Sequence, residues 1–303
     1  MRVVITGGTG FIGSKLTDRL LSVGQKVVAL GRQVSQASKN PDLKYVQCDT
    51  TLPGEWQDEI KQADVVVNLA GASIFQRWTP KVKEIIISSR IKTTENVVSA
   101  IGDQKDQAIT LLSVDGVGYY GFHDDELIDE SVPPGSDFLA QLGIRWESAA
   151  KLAEEFGARV VICRFGVVMG KNGGALQQLT RIAKLGMGCQ LGDGNQWFTW
   201  IHQDDLADIL EYLIGNNSIS GPVNVAAPNP VRNKELMQSI RRALKVPLLL
   251  PRVPGFMIRP IAGEFADVLL KGQRVIPMVL QENNYKFKYP SIEKALESIL
   301  SKK

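Results

Sequence analysis

The chain has 303 residues, 44% of them hydrophobic, enough to bury a full core in one large domain or two modest ones. Its 35 basic and 32 acidic residues leave a net charge of +3 and are interspersed, which argues for a solvated mixed surface and against a nucleic-acid partner. Cys48, Cys163 and Cys189 have no C-x-x-C spacing and fit free thiols in a reducing compartment, while Pro247, Pro251, Pro254 and Pro260 interrupt the most apolar stretch before it reaches membrane-spanning length.

The first predicted element is a β-branched strand, Arg2-Val3-Val4-Ile5, so no leader is expected ahead of it and the protein is expected to be cytoplasmic, without a membrane partner. Thr6-Gly7-Gly8-Thr9-Gly10-Phe11-Ile12-Gly13 follows, and then Lys15 to Leu21 with the apolar spacing of a helix face. Gly8, Gly10 and Gly13 fit the G-x-G-x-x-G spacing: one glycine for the tight turn, one for backbone approach to a pyrophosphate, one for helix–strand packing. Strand, glycine turn and helix together predict a dinucleotide site. Its phosphates would rest on the helix N-terminus, against the backbone of Gly7, Gly10, Phe11, Ile12 and Gly13.

Gln25 to Leu30 reads as the second strand, ending at Gly31-Arg32. An acidic residue there would bind the 2′-hydroxyl of NAD; the arginine present instead can pair with the 2′-phosphate of NADP, so NADP(H) is the expected cofactor. Leu43 to Cys48 is the third strand, and Asp49 beyond it is either an adenine acceptor or a turn-former. Asp64 to Ala72 is too continuously apolar for a half-exposed strand, so helices should cover both its faces, with Leu69, Ala70 and Gly71 bordering the cofactor. A helix from about Pro80 to Ile101 carries Arg90, which either reaches a phosphate or is an ordinary exposed arginine.

Strand Ile109 to Val114 leads into Asp115-Gly116-Val117-Gly118-Tyr119-Tyr120-Gly121. Asp137 is a candidate N-cap for a helix over 138–156, and Arg159 to Gly166 is another buried strand. This alternation predicts a Rossmann-type, doubly wound parallel α/β sheet. After Gly170 the texture changes: a helix to about Lys184, a glycine-marked irregular stretch at Gly186, Gly188, Gly192 and Gly194, then Trp197 to Asp205 opening a helix. The expected division is a dinucleotide-binding domain over 1–170, with 197–228 returning to it, and a small, mainly helical substrate-side domain from 171–196 and 229–303.

The glycine motif, Asn68-Leu69-Ala70-Gly71, Tyr119-Tyr120-Gly121, Arg164-Phe165-Gly166-Val167-Val168 and Trp200 to Leu206 together resemble the extended short-chain dehydrogenases, a superfamily of epimerases, dehydratases and reductases. Arg77-Trp78, Ser89-Arg90, Trp146-Glu147, Gly173-Gly174-Ala175 and Leu270 to Pro277 are similar to an atypical branch, labelled epimerase family protein and sometimes cell-division inhibitor. The resemblance spans nearly the whole chain. It implies NADP binding, with Val168 beside the cofactor, and a small C-terminal domain closing over the nicotinamide, but no established substrate.

The superfamily's chemistry uses a tyrosine, a lysine four residues later and a serine or threonine. No Tyr-x-x-x-Lys lies in the expected helix. Counted from Trp146-Glu147, the pair falls near Gln141 and Arg145; counted back from Tyr119-Tyr120, the serine falls near Asp115. Arg145 could still hold ribose hydroxyls, and Tyr119 or Tyr120 could supply a phenol with Asp115 as partner. Trp200, His202 and Gln273 are candidates for the substrate side, the alternative for His202 being a satisfied structural histidine. One histidine with no spaced partner gives no metal site. Two functions stay open: a reductase or epimerase acting on a small carbonyl or hydroxyl substrate, and a catalytically silent NADP(H)-binding regulator.

Overall fold

The structure, a computed structural model, describes residues 1–34, 38–103, 109–171, 173–183, 190–246 and 252–301. Asn172, Gly186, Gly188, Cys189, Pro247 and Pro251 lie outside the described residues. Seven strands form one parallel sheet: β1 (Arg2–Thr6), β2 (Lys26–Gly31), β3 (Leu43–Gln47), β4 (Val65–Asn68), β5 (Thr110–Gly116), β6 (Arg159–Phe165) and, after two short strands β7 (Val167–Gly170) and β8 (Trp200–His202), β9 (Gly221–Val225). Their spatial order is β9-β6-β5-β4-β1-β2-β3, every pair parallel. Chain order reverses direction between β1 and β4, which puts a ligand crevice beyond the carboxyl ends of those strands.

Helices cover both faces, as the unbroken burial of Val65–Asn68 requires. On one face α1 (Phe11–Ser22) buries Leu16 and Leu20 with Val3, Ile5 and the inner side of Gln203–Gly215. On the other, α2 (Pro80–Gly102) buries Val97, Val98 and Ile101 with Val4, Val66, Leu111 and Ile162. Thr79 starts α2, its hydroxyl accepting from the Val82 amide at 3.3 Å with Pro80 preset for the first turn. Asp137 caps α3 (Phe138–Lys151) by accepting from Leu139 and Ala140 amides at 2.9 and 3.2 Å. The helix expected to run to Phe156 tightens into a 3-10 turn at Leu152.

The C-terminal region packs onto the segment that follows β5. Arg274–Val275 pairs in parallel with Leu127–Ile128, Asn224 donates to the Ile276 carbonyl at 3.0 Å, and Thr199 donates to the Gln273 carbonyl at 2.7 Å. Val275 is thereby fully buried beside Val117, Tyr120 and Ile128.

Candidate functional site

The glycine turn divides its labour differently from the expected spacing. Gly7, not Gly8, makes the turn, at φ 67°, and its own face abuts Ala70. Gly8 packs on β2, where a Cβ would lie 2.7 Å from that of Ala29. Gly13 is the packing glycine, since its Cβ would lie 2.3 Å from the Gly7 carbonyl oxygen. Gly10 is the opening: exposed, at the start of α1 with no side-chain cap, and meeting only the Gly7 oxygen within 4 Å of a built Cβ. A helix that begins uncapped beneath a bare glycine offers its N–H groups to an anion, so these residues fit a dinucleotide diphosphate. Phe11 turns its ring away, into a bracket made by Gly170, Gly173 and Gly174. Ile12 and Val168 are half-buried beside this turn and in β7.

The rim is rigid. Thr6 donates its hydroxyl to Asn68 at 2.7 Å and accepts from the Leu69 and Ala70 amides at 3.1 Å each. Asn68 and the Trp146 indole both donate to Thr94, at 2.8 and 2.9 Å. Arg90 serves this loop: its guanidinium donates to the Ala72 carbonyl at 3.0 Å, backs Gly71 and lies over the Trp146 ring at 5.1 Å. Those contacts account for Arg90 without a phosphate, and burial brings its pKa down to about 10. Gly31 leaves room for the Thr9 side chain, and Arg32 just beyond it is exposed. Asp49 caps its own turn by accepting from the Thr51 hydroxyl and amide at 2.7 and 3.0 Å.

Asp115 is the penultimate residue of β5 and Arg164 stands opposite it in β6, so both side chains leave the same face toward α3. Arg164 is 3% exposed and grips Glu147 through two bonds of 2.7 and 3.0 Å; it also donates to the Tyr120 hydroxyl at 2.9 Å and stacks on the Tyr119 ring at 3.6 Å. Asp115 is 8% exposed, with Oδ1 accepting from the Gly116 amide at 2.7 Å and Oδ2 accepting from no N–H or O–H among the described residues. Burial first, then the Glu147 charge, pushes its pKa up to about 8. Tyr120 is wholly buried, donates to Asn224 at 2.7 Å, and is pushed up to about 12 mainly by burial. It is a structural phenol. Tyr119 is half-exposed and remains beside Asp115.

The sequence count along α3 needs correcting by two residues. A Cβ on Gly143 would lie 2.6 Å from Asp115 Oδ2 and 3.2 Å from the Tyr119 ring, and Leu139 lies against Gly118. The four-residue step on this side of the helix is therefore Leu139–Gly143, with Gly143 at Asp115 and Leu139 at Gly118, and neither residue can titrate. Arg145, about 200° round the helix from Gly143, is exposed in a groove of about 710 Å³ between α2 and α3, with Lys83, Ile91 and Phe138. It does not join Asp115 and Tyr119.

The substrate-side expectations also change. Trp200 is fully buried, its indole donating to the Asn229 carbonyl at 3.0 Å. His202 is 1% exposed and caps Gln203–Gly215: Nδ1 accepts from the Asp204 amide at 3.0 Å, so Nε2 carries the proton toward Ser298 Oγ at 3.1 Å, and the ring stacks on Tyr289 at 3.8 Å. Gln273 is buried too, tying the C-terminal region to the Val117 carbonyl at 2.8 Å just ahead of Tyr119. It positions that turn. Burial drives the His202 pKa down to about 4, below its unfolded value near 6.5. Its contribution to stability is thus complete above about pH 6.5 and lost as pH falls toward 4, because only the unfolded chain takes the proton. Thermal melts at pH 7 and 4.5 should show the wild type losing roughly 2–3 kcal/mol more than His202→Asn, which keeps a capping side chain without titrating; equal losses would refute the assignment.

An open parallel sheet with a glycine cradle at its switch point defines a dinucleotide-binding α/β protein. The chain matches the NAD dependent epimerase/dehydratase family over residues 3–226 and a domain of unknown function, DUF1731, over 253–299, and it belongs to that epimerase/dehydratase family. It is 39% identical to an Arabidopsis thaliana chloroplastic SDR39U1 homolog, across 99% of this chain and 87% of that one. With the Bacillus subtilis epimerase family protein YfhF it shares 37% identity over 99% and 98% of the two chains. The crystal structure of human epimerase family protein SDR39U1 with NADPH superposes with a TM-score of 0.87 at 32% identity, covering 99% of each chain. No described helix is long and apolar enough to cross a membrane.

Proposed function

We propose that this protein binds NADP(H) in the glycine cradle and acts as a reductase or epimerase on a small carbonyl or hydroxyl substrate. The observation that carries the reading is the uncapped, open start of α1 under Gly10, with the exposed guanidinium of Arg32 at the neighbouring strand end. The NADPH in the human relative supports the choice of phosphate-bearing cofactor. Purified protein titrated with NADPH and NADH tests it. Arg32→Ala should weaken NADPH roughly 30-fold, the worth of a charge-assisted phosphate contact, and leave NADH within about threefold; equal weakening of both removes the 2′-phosphate assignment.

A second reading, a catalytically silent NADP(H)-binding regulator, draws on Leu139 and Gly143 where a tyrosine and lysine would face the site. Tight NADPH binding with no turnover across a panel of aldehydes, ketones and quinones favours that reading.

A further inference from the structure

Asp115 has a placement that neither a packing role nor a salt bridge explains. It stands next to last in β5, at the carboxyl end that borders the crevice, and Gly143 of α3 leaves space for its carboxyl, any Cβ there falling 2.6 Å from Oδ2. That oxygen is buried and no N–H or O–H among the described residues donates to it, so it is kept at least cost with a proton on it, shared with the neighbouring Glu147 carboxylate. The ionic partner that could have neutralised it is already spent: Arg164 holds Glu147 in a two-bonded pair.

Resting on the NADP(H) reading above, we propose that the Asp115 carboxyl is the acid of this site, donating the proton that the missing tyrosine of α3 cannot. A dihydronicotinamide, when bound, supplies a hydride. The substrate carbon accepts that hydride as the carbonyl π bond breaks, and the Asp115 proton passes to the oxygen, leaving an alcohol, an oxidised cofactor and the Asp115 carboxylate, which solvent reprotonates. Glu147 from α3 and Arg164 from β6 are positioning residues: their pairing fixes a carboxylate next to Asp115 and so favours its neutral form. The other groups facing it are Tyr119, whose ring edge borders the Gly143 gap, and the Arg90 guanidinium from α2, whose charge couples to Asp115. With the acid form required, reduction should slow as pH rises through about 8.

The test uses the full chain loaded with NADPH, an electron-poor dione such as 9,10-phenanthrenequinone as probe, and the variants Asp115→Asn and Tyr119→Phe. Asp115→Asn is isosteric and keeps the acceptor for the Gly116 amide. Its NADPH affinity should stay within threefold, its dione reduction should fall about 100-fold, and the fall in rate near pH 8 should vanish. Tyr119→Phe should lose less than tenfold. Independently of turnover, carboxyl NMR of ¹³C-aspartate-labelled protein should show one carboxyl titrating near pH 8 that is missing from Asp115→Asn. A larger loss in Tyr119→Phe than in Asp115→Asn overturns the proposal, as does an Asp115 carboxyl already ionised at pH 5 or an NADPH-bound wild type that reduces no dione. A weakened NADPH affinity with intact turnover in Asp115→Asn also overturns it, making the residue a ribose holder instead. Failure of the wild type to bind NADPH at all refutes the cofactor reading and is seen before any variant is compared.

Discussion

Gly10→Val should abolish dinucleotide binding, raising the Kd for both NADPH and NADH more than about 100-fold, while the protein melts within about 4 °C of the wild type. The expectation follows from how differently the glycines of one turn are used. Gly10 has φ −81°, which valine adopts without strain, and a Cβ there meets only the Gly7 oxygen at 3.1 Å, a contact that a shift of a few tenths of an ångström relieves. A poorer N-cap costs about 1 kcal/mol, a few degrees in a chain of this size. The branched side chain then stands over the first-turn N–H groups, where a diphosphate would lie. Gly13→Ala is the matched contrast: its Cβ would be 2.3 Å from the Gly7 oxygen and 2.7 Å from the Gly8 Cα, so α1 must lift from the sheet and the melting temperature must fall. Calorimetric titration with each cofactor, beside circular-dichroism melts, reads both effects. Retained affinity in Gly10→Val would move the phosphates elsewhere.

The turn was legible because its function is local, a strand, four glycines and a helix within some twenty residues. Local reading still failed to choose between Gly7 and Gly8, adjacent and identical in type, because only the contact of Gly7 with Ala70, sixty-odd residues on, decides which one turns. The same limit explains the two-residue slip in α3. Composition shows that the helix is amphipathic, but the side facing Asp115 is set by packing against the turn after β5, where Leu139 meets Gly118. Trp200 and His202 read as cleft candidates because an aromatic run stands before His202 and Asp204-Asp205 follow it. Their partners, Asn229, Tyr289 and Ser298, come from 29 to 96 positions later in the chain and bury them. The one signal that could have exposed this buried cluster is Glu147 with Arg164, an acid on the helix and a base in the next buried strand, where a lone charge could not be kept.

That pair sets the second large effect. Arg164→Met should destabilise the protein by about 3–5 kcal/mol, near 10 °C in melting temperature, because it leaves Glu147 and Asp115, 4% and 8% exposed, as neighbouring buried acids without their cation. The pH dependence distinguishes this from simple loss of packing. Asp115 has a folded pKa of about 8 against about 4 unfolded, so the folded state holds the extra proton and stability falls as pH rises between those values. Without Arg164 the charge of Glu147 is left uncompensated beside Asp115, a penalty that grows as Asp115 ionises, so the variant should be closest to wild type near pH 5 and furthest from it near pH 8. Adding Glu147→Met should recover most of the loss, since two apolar side chains of similar length can occupy the space of a buried ion pair at little net cost. A single variant that loses under 1 kcal/mol, or a deficit independent of pH, would mean that Arg164 is held by its stacking on Tyr119 and its bond to Tyr120 and does not stabilise the charge on Glu147.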